Sequence, residues 1–408
     1  MSSPVRSSTV PGRRSVLTFG LLTALFASGY GVMFTMLDDF RDTYGVSASS
    51  LGLVVAVGFF SSFLAQVLLA PLADRGQARR LVFLGMLANV GGLLGMAVSH
   101  QVLTLVVSRL VMGVGAGMAI PAVRRIVILA DPDHLGHNLG LLLTADVGGF
   151  ALGPAISAVL VGPFGIPAPF LVIAVLTVLC LPVIVRVRVD ETSVEDAPVE
   201  RFAFDLLRQR SYTGALAMGA AVFLMIGTFD ALWVLVLADL RASDWIANLG
   251  ITLFALPLMV LGPFGGRLAQ RVGPFRLGTV GLLAGAAFMF CYGRMGTGGS
   301  MMAVGMIHSL SDGFTVSSNG VAVGMTVPPE RQAGAQGLLG GVQTVVGGLT
   351  ALTAGWVYDH HGRTLAYTLC AVAMLVLVAV AAWRAGPSWY RRPQAVGREP
   401  VVSGSTLG

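Results

Sequence analysis

The sequence predicts an all-α membrane protein, twelve transmembrane helices arranged as two parallel-repeat six-helix bundles. Three observations carry this. The 408 residues are 55% hydrophobic and 11% charged with 53 glycines, and the mean hydropathy is +0.80, far too apolar for a soluble multidomain protein. Arginine is distributed asymmetrically between alternate connections. The two halves of the chain repeat each other's local patterns.

Residues 1–14 are polar and basic and read as a disordered tail. A signal peptide competes for this region, but the apolar run continues to Leu37, longer than a signal core, without a clear small-residue cleavage site. Twelve apolar segments follow, over 15–37, 50–72, 80–99, 102–123, 137–161, 165–187, 212–237, 247–268, 275–296, 300–326, 333–356 and 364–385. Each is near the ~20 residues a bilayer crossing requires. In lipid the backbone must satisfy itself, so runs this long and continuous are helices rather than barrel strands. The predicted organisation is a tail (1–14), an amino-terminal bundle (15–187), a linker (188–211), a carboxy-terminal bundle (212–385) and a second tail (386–408).

All 26 basic residues are arginine. With the amino terminus inside, 21 of them fall on the cytoplasmic side, and only Arg41, Arg241, Arg294 and Arg363 fall outside, while Arg109 lies within a segment. Both termini are therefore expected in the cytoplasm, and arginine without lysine suggests a GC-rich bacterial genome, so the expected location is a bacterial cytoplasmic membrane. The dispersed charge reports topology, not a nucleic-acid surface. Arginine keeps its proton, so any proton carried by a side chain must ride on Asp, Glu or His. The cysteines, Cys180, Cys291 and Cys370, lie inside apolar runs and have no metal-ligand spacing. No cofactor is expected.

Segment 5 organises the rest. Asp146, Gly149, Gly153 and Ser157 are spaced three, four and four, so they share one helical stripe. An ionised carboxylate there costs roughly 2.5–3.5 kcal/mol on insertion scales, and Pro154 removes a backbone hydrogen bond. Arg109 sits about 12 Å into segment 4 and Asp146 about 15 Å into segment 5 at 1.5 Å per residue, so both approach the midplane and an Arg109–Asp146 pair is expected. Segment 10 presents His308, Asp312, Thr315 and Asn319 on one face, and segment 11 presents Gln336, Gln343 and Thr350. Such polar stripes face a bundle interior or an aqueous cavity. Asp230 and Trp233 in segment 7, with Tyr30, Met33, Phe34 and Met36 in segment 1, are further lining candidates, though core packing also accounts for the aromatics and methionines.

The loop after segment 2, APLADRGQARR, resembles the Gly-x-x-x-Asp-Arg-x-Gly-Arg-Arg signature of the major facilitator superfamily, with Ala70 at the leading glycine and Gly76 displaced. A second copy after segment 8 keeps Gly266, Arg267, Arg271 and Gly273 but carries Gln270 at the acidic position. Arg109 with Gly113 and Gly115 is similar to the superfamily's Arg-x-x-x-Gly-x-Gly motif. Gly149 to Pro154 resembles the Gly-x-x-x-Gly-Pro motif of its proton-coupled drug exporters, Ser157-Ala158 replacing the closing glycines.

This resemblance implies alternating access and export of hydrophobic compounds in exchange for protons. Asp146, Arg109, Asp312 and His308 would couple protons. Asp230, Tyr30, Phe34, Trp233, Gln343 and Asn319 would contact substrate. Asp74, Arg75, Gly149, Gly153, Pro154, Gly266 and Arg271 would gate, with Asp74 drawn to the positive end of helix 11 and the helix 5 glycines acting as a hinge or seal between the halves. If Asp146, Asp230 and Asp312 face one cavity against Arg109 alone, lipophilic cations are the favoured cargo. The expected partners are a small-molecule substrate, protons and the bilayer, and the expected state is a monomer. Two alternatives stay open: transport of a sugar or other small metabolite, and a non-transporting receptor or scaffold on the same fold. An enzyme is not expected, because no nucleophile, base and orienting group, and no phosphate loop, can be assembled.

Overall fold

A computed structural model describes residues 12–186 and 197–389. The predicted tails before residue 12 and after 389, and the linker acids Asp190, Glu191, Glu195 and Asp196, lie outside the described residues. The amino-terminal half comprises α1 (Gly12–Thr35), α2 (Ala48–Leu68), α3 (Ala78–Val98), α4 (Val102–Ala130), α5 (Leu135–Phe164) and α6 (Pro167–Arg186). The carboxy-terminal half comprises α7 (Arg210–Asp239), α8 (Asp244–Val272), α9 (Pro274–Tyr292), α10 in two pieces (Gly298–Thr315 and Ser318–Thr326), α11 (332–361) and α12 (363–385). A short helix, Leu37–Tyr44, follows α1. The end of the linker forms a short helical segment, Ala203–Arg208.

Local chemistry fixes several boundaries. The Ser47 hydroxyl caps α2 by accepting the Ser50 N–H at 3.3 Å, and Thr297 caps α10 through the Ser300 N–H at 3.2 Å. The turn from α11 to α12 passes through Gly362 at φ 78°, ψ 170°, a backbone region open only to glycine. Pro154 and Pro163 sit within α5, which nevertheless runs unbroken from Leu135 to Phe164.

Nine stretches of the described residues are long and apolar enough to cross a membrane; one of them, Pro329–Trp389, holds α11 and α12 together. The apolar part of α6 is shorter, Pro167–Pro182, and α10 is diluted by its polar stripe. Large apolar side chains face outward, among them Leu103 at 72% and Trp383 at 65% exposure, as a lipid-facing surface requires. The segment 4 boundary expected at residue 123 is wrong by seven residues. Here α4 continues to Ala130, so Arg124 and Arg125 are helix residues, not loop residues.

Packing within each half follows the repeat. In the first, α1 lies along α5, and α4 touches both α2 and α3; in the second, α7 lies along α11 and α10 along α8. The halves meet through two equivalent seams, α2 against α11 and α5 against α8. Both seams lie toward the face on which the described chain ends, hereafter the basal face. The deepest hydrogen bond between halves, Thr144 Oγ1 to the Met259 carbonyl at 2.6 Å, is nine residues, about 13 Å, from the start of α5.

Candidate functional site

A cavity of about 190 Å³ opens between the halves directly over these seams. Its polar wall is Gln66, Arg124, Asp146, Asn319, Gln336 and Gln343, with Thr23, Ser317 and Thr344 adding hydroxyls. Leu139, Leu142, Val123, Phe223 and Val316 supply apolar surface. Buried polar atoms here lack partners: Gln336 Oε1 and Ser317 Oγ make no hydrogen bond, although Gln336 Nε2 donates to the Gly320 carbonyl at 3.1 Å. An unsatisfied buried acceptor or hydroxyl costs about 1–3 kcal/mol, so this wall is suited to a polar guest.

The structure places Asp146 in this cavity opposite Arg124, not Arg109. The Arg124 guanidinium is the charge acting on Asp146, but the two do not close to a salt bridge. The expected Arg109–Asp146 pair is absent. Arg109 is fully buried, its guanidinium 4.0 Å from the centroid of the Tyr30 ring and its three nitrogens without hydrogen bonds. Tyr30 lies within electrostatic reach of both Arg109 and Asp146. The common level assumed that α4 ends at residue 123; with α4 running to Ala130, Arg109 lies about 32 Å from the basal end of α4 while Asp146 lies about 17 Å from the start of α5, so depth separates them.

Of the other acids, Asp312 borders a separate small void within the carboxy-terminal half, with Thr315 and Asn319. It is 3.4 Å from His308 Nε2, and His308 Nδ1 is 3.0 Å from the Tyr292 hydroxyl. Asn319 alone of this stripe also lines the central cavity. Asp230 is exposed on α7, outside the described cavity lining. Trp233, expected at the substrate, is fully buried in an aromatic cluster, 4.6 Å from Phe229 and 5.8 Å from Tyr292. Phe34 packs between Phe59 and Phe150. The premise for a cation-selective cavity, three carboxylates against Arg109, is therefore not met: one carboxylate and one different arginine line it.

Below the cavity the seams are locked. Asp74, in the turn Ala70–Arg75, accepts from the backbone N–H groups of Ala333 and Gly334 at 2.9 and 2.7 Å and from Arg125 Nε at 3.2 Å. The carboxylate thus sits on the positive end of α11. Its repeat counterpart, Gln270, accepts from the Gly136 N–H at the start of α5 at 2.7 Å and donates to the carbonyls of Pro132 and Asp133 at 3.0 and 3.2 Å. Arg75 donates to the linker carbonyls of Pro198 and Val199, each at 2.9 Å. Arg271 is exposed at the end of α8.

The α5 stripe expected as a hinge or seal packs inside its own bundle. Gly149 and Gly153 lie against Ala24 and Gly31 of α1, and Ser28 Oγ donates to the Gly149 carbonyl at 2.9 Å. Pro154 is exposed. The surface that meets the other half is a different stripe, Gly136, Gly140, Thr144 and Gly148, which opposes Gly266, Gly262 and Met259 of α8. Its four-residue spacing was present in the sequence and went unread. Arg124 was also missed, because it was counted as a loop charge. Among the described residues no cluster of three His, Cys, Asp or Glu side chains could hold a metal ion.

The described residues thus form a helical membrane protein with two six-helix halves around one polar cavity, closed on one face by paired contacts. The chain belongs to the Major Facilitator Superfamily, whose sequence profile matches residues 18–238 and 215–404. It is 29% identical over 142 residues to the quinolone resistance protein NorA of Staphylococcus aureus (strain MRSA252), a match that spans 35% of this chain and 36% of that relative's length. A multi-drug resistance efflux pump PmrA homolog of Lactococcus lactis subsp. lactis (strain IL1403) is 24% identical over 68% of this chain and 72% of its own length. Among solved structures, the human organic anion transporter MFSD10 superposes with a TM-score of 0.75 at 18% identity, covering 91% of this chain and 99% of that one. The transporter FucP in its outward conformation gives 0.72 at 15% identity, covering 90% and 98%. These likenesses fix the fold.

Proposed function

We propose that this protein exports amphiphilic small molecules in exchange for protons, working by alternating access from a bacterial cytoplasmic membrane with its basal face in the cytoplasm. The observation that carries the reading is the central cavity, where Asp146 faces the space between the halves while every named lock lies on its basal side. A carboxylate whose surroundings change as the halves rock is suited to load and release a proton. Two distant relatives named for drug resistance and efflux support the direction, and the arginine asymmetry supports the orientation. Asp146 is the coupling acid in this reading, with Asp312 and His308 a second titratable pair reached through Asn319.

The amides lining the cavity favour a second reading, proton-coupled transport of a small polar metabolite, because Gln66, Gln336, Gln343 and Asn319 offer the hydrogen bonds such a cargo requires. Purified protein in liposomes carrying an internal pH dye separates the two. Export predicts substrate-dependent proton movement with amphiphilic aromatic compounds, lost in Asp146→Asn. Proton movement with sugars or polar metabolites alone would replace the export reading by the second.

A further inference from the structure

We infer that the central cavity selects zwitterionic amphiphiles, taking a carboxylate on Arg124 and an ammonium on Asp146; this rests on the reading of that cavity as the transport site. Arg124 and Asp146 stand on adjacent helices, α4 and α5, and both line the same space. They act on each other electrostatically without reaching ion-pair distance. Arg124 makes no hydrogen bond to any described residue, which leaves its forked donors open to a planar carboxylate. A guest carrying both charges completes both groups at once, whereas a pure cation leaves the guanidinium unanswered and a pure anion leaves the carboxylate so.

The remaining wall matches the rest of such a molecule. Leu139, Leu142, Val123 and Phe223 present apolar surface, and the free Gln336 Oε1 gives an acceptor to a second ammonium hydrogen. The chemistry also sets the coupling. The guest's ammonium and a proton compete for Asp146, so binding of one expels the other, which is the linkage exchange requires. A simple anion on Arg124 would instead favour protonation of Asp146 and carry the proton along with it.

The test uses one ring system with four charge states: 3-(2-naphthyl)alanine, its methyl ester, its N-acetyl derivative and the N-acetyl methyl ester. Binding to the purified full chain is read from the ligand-dependent shift in thermal unfolding, which needs no transport. The zwitterion should bind about tenfold more tightly than either singly charged form, the factor carried by ~1.4 kcal/mol, one charge-assisted contact. In Arg124→Gln the zwitterion should lose its advantage over the methyl ester, and in Asp146→Asn its advantage over the N-acetyl form. Retained binding of the uncharged compound shows that each variant is folded. Equal binding of all four compounds, no binding of any, or discrimination unchanged in Arg124→Gln would overturn the proposal. Discrimination without proton movement in liposomes would leave the site standing and remove the export reading.

Discussion

The Asp74 carboxylate and the Gly334 N–H, 260 positions apart in the chain and 2.7 Å apart in space, join the two halves at the first turn of α11. The bond is sheltered, since Asp74 is 2% exposed, and Arg125 approaches the same carboxylate from α4. It is a charge-assisted contact to a helix amino terminus, of the kind worth roughly 1.5–3 kcal/mol. Asp74→Asn keeps an acceptor but loses the charge, so the closed basal face should lose roughly tenfold in population. Spin labels at Arg80 and Val272 would report this as a longer basal distance. An unchanged distance distribution would show that Asp74 does not hold the face shut.

Gln270 does the corresponding task at α5 without charge. Its three hydrogen bonds, to Gly136, Pro132 and Asp133, are neutral and individually worth about 1 kcal/mol. Gln270→Ala should therefore open the basal face less than Asp74→Ala does. The same label pair compares the two variants directly, and an equal or larger effect from Gln270→Ala would mean that charge is not what distinguishes the locks.

The two glycine stripes of α5 should fail differently. A Cβ on Gly266 would stand 2.8 Å from the Gly136 carbonyl carbon across the seam, and one on Gly149 would stand 2.7 Å from Ala24 Cα inside the amino-terminal bundle. Overpacking of this kind costs about 1–3 kcal/mol. The halves can part to relieve the first clash but not the second. Gly266→Ala should thus lower transport and lengthen the basal distance at nearly constant thermal stability, while Gly149→Ala should lower the unfolding temperature.

These stripes show how far the sequence reaches. The twelve crossings were legible because lipid imposes length and continuity on every helix. Asp74 was legible because a carboxylate in the turn after α2 and the amino terminus of α11 share the basal face by topology alone. The partner of Gly149 was not, because α5 carries small residues on two roughly opposite sides and spacing does not say which neighbour covers which. The Arg124–Arg125 doublet failed for a related reason. Once α4 extends to Ala130, consecutive residues point about 100° apart, sending Arg125 to Asp74 and Arg124 into the cavity. A boundary error of two helical turns hid both.

The linker is tied to both halves beside the basal lock. Arg331, just before α11, bonds Asp205 and the carbonyls of Glu200 and Phe202, the latter two at 3.2 Å, while Arg75 holds the carbonyls of Pro198 and Val199. Opening the basal face pulls these anchors apart. Asp205→Asn and Arg75→Gln should each speed cleavage after Glu200 by a glutamate-specific protease, and Asp74→Asn should do so without touching the linker. Cleavage at the wild-type rate in Asp74→Asn would show that the strap does not sense the gate.

Arg109 is held by an aromatic face rather than by an acid. Its guanidinium stands 4.0 Å from the Tyr30 ring centroid, and neither its nitrogens nor the Tyr30 hydroxyl has a hydrogen-bond partner. A desolvated cation over a ring is worth up to about 2 kcal/mol, and it depends on the ring, not on the hydroxyl. Tyr30→Phe should therefore leave thermal stability near wild type, whereas Tyr30→Leu should lower it by removing the nearer of the two ring faces that answer a buried charge, the Phe59 ring standing 6.0 Å away. Circular-dichroism melts of the purified variants measure both. If Phe and Leu destabilise equally, the hydroxyl carries the interaction and Arg109 is held by a hydrogen bond instead.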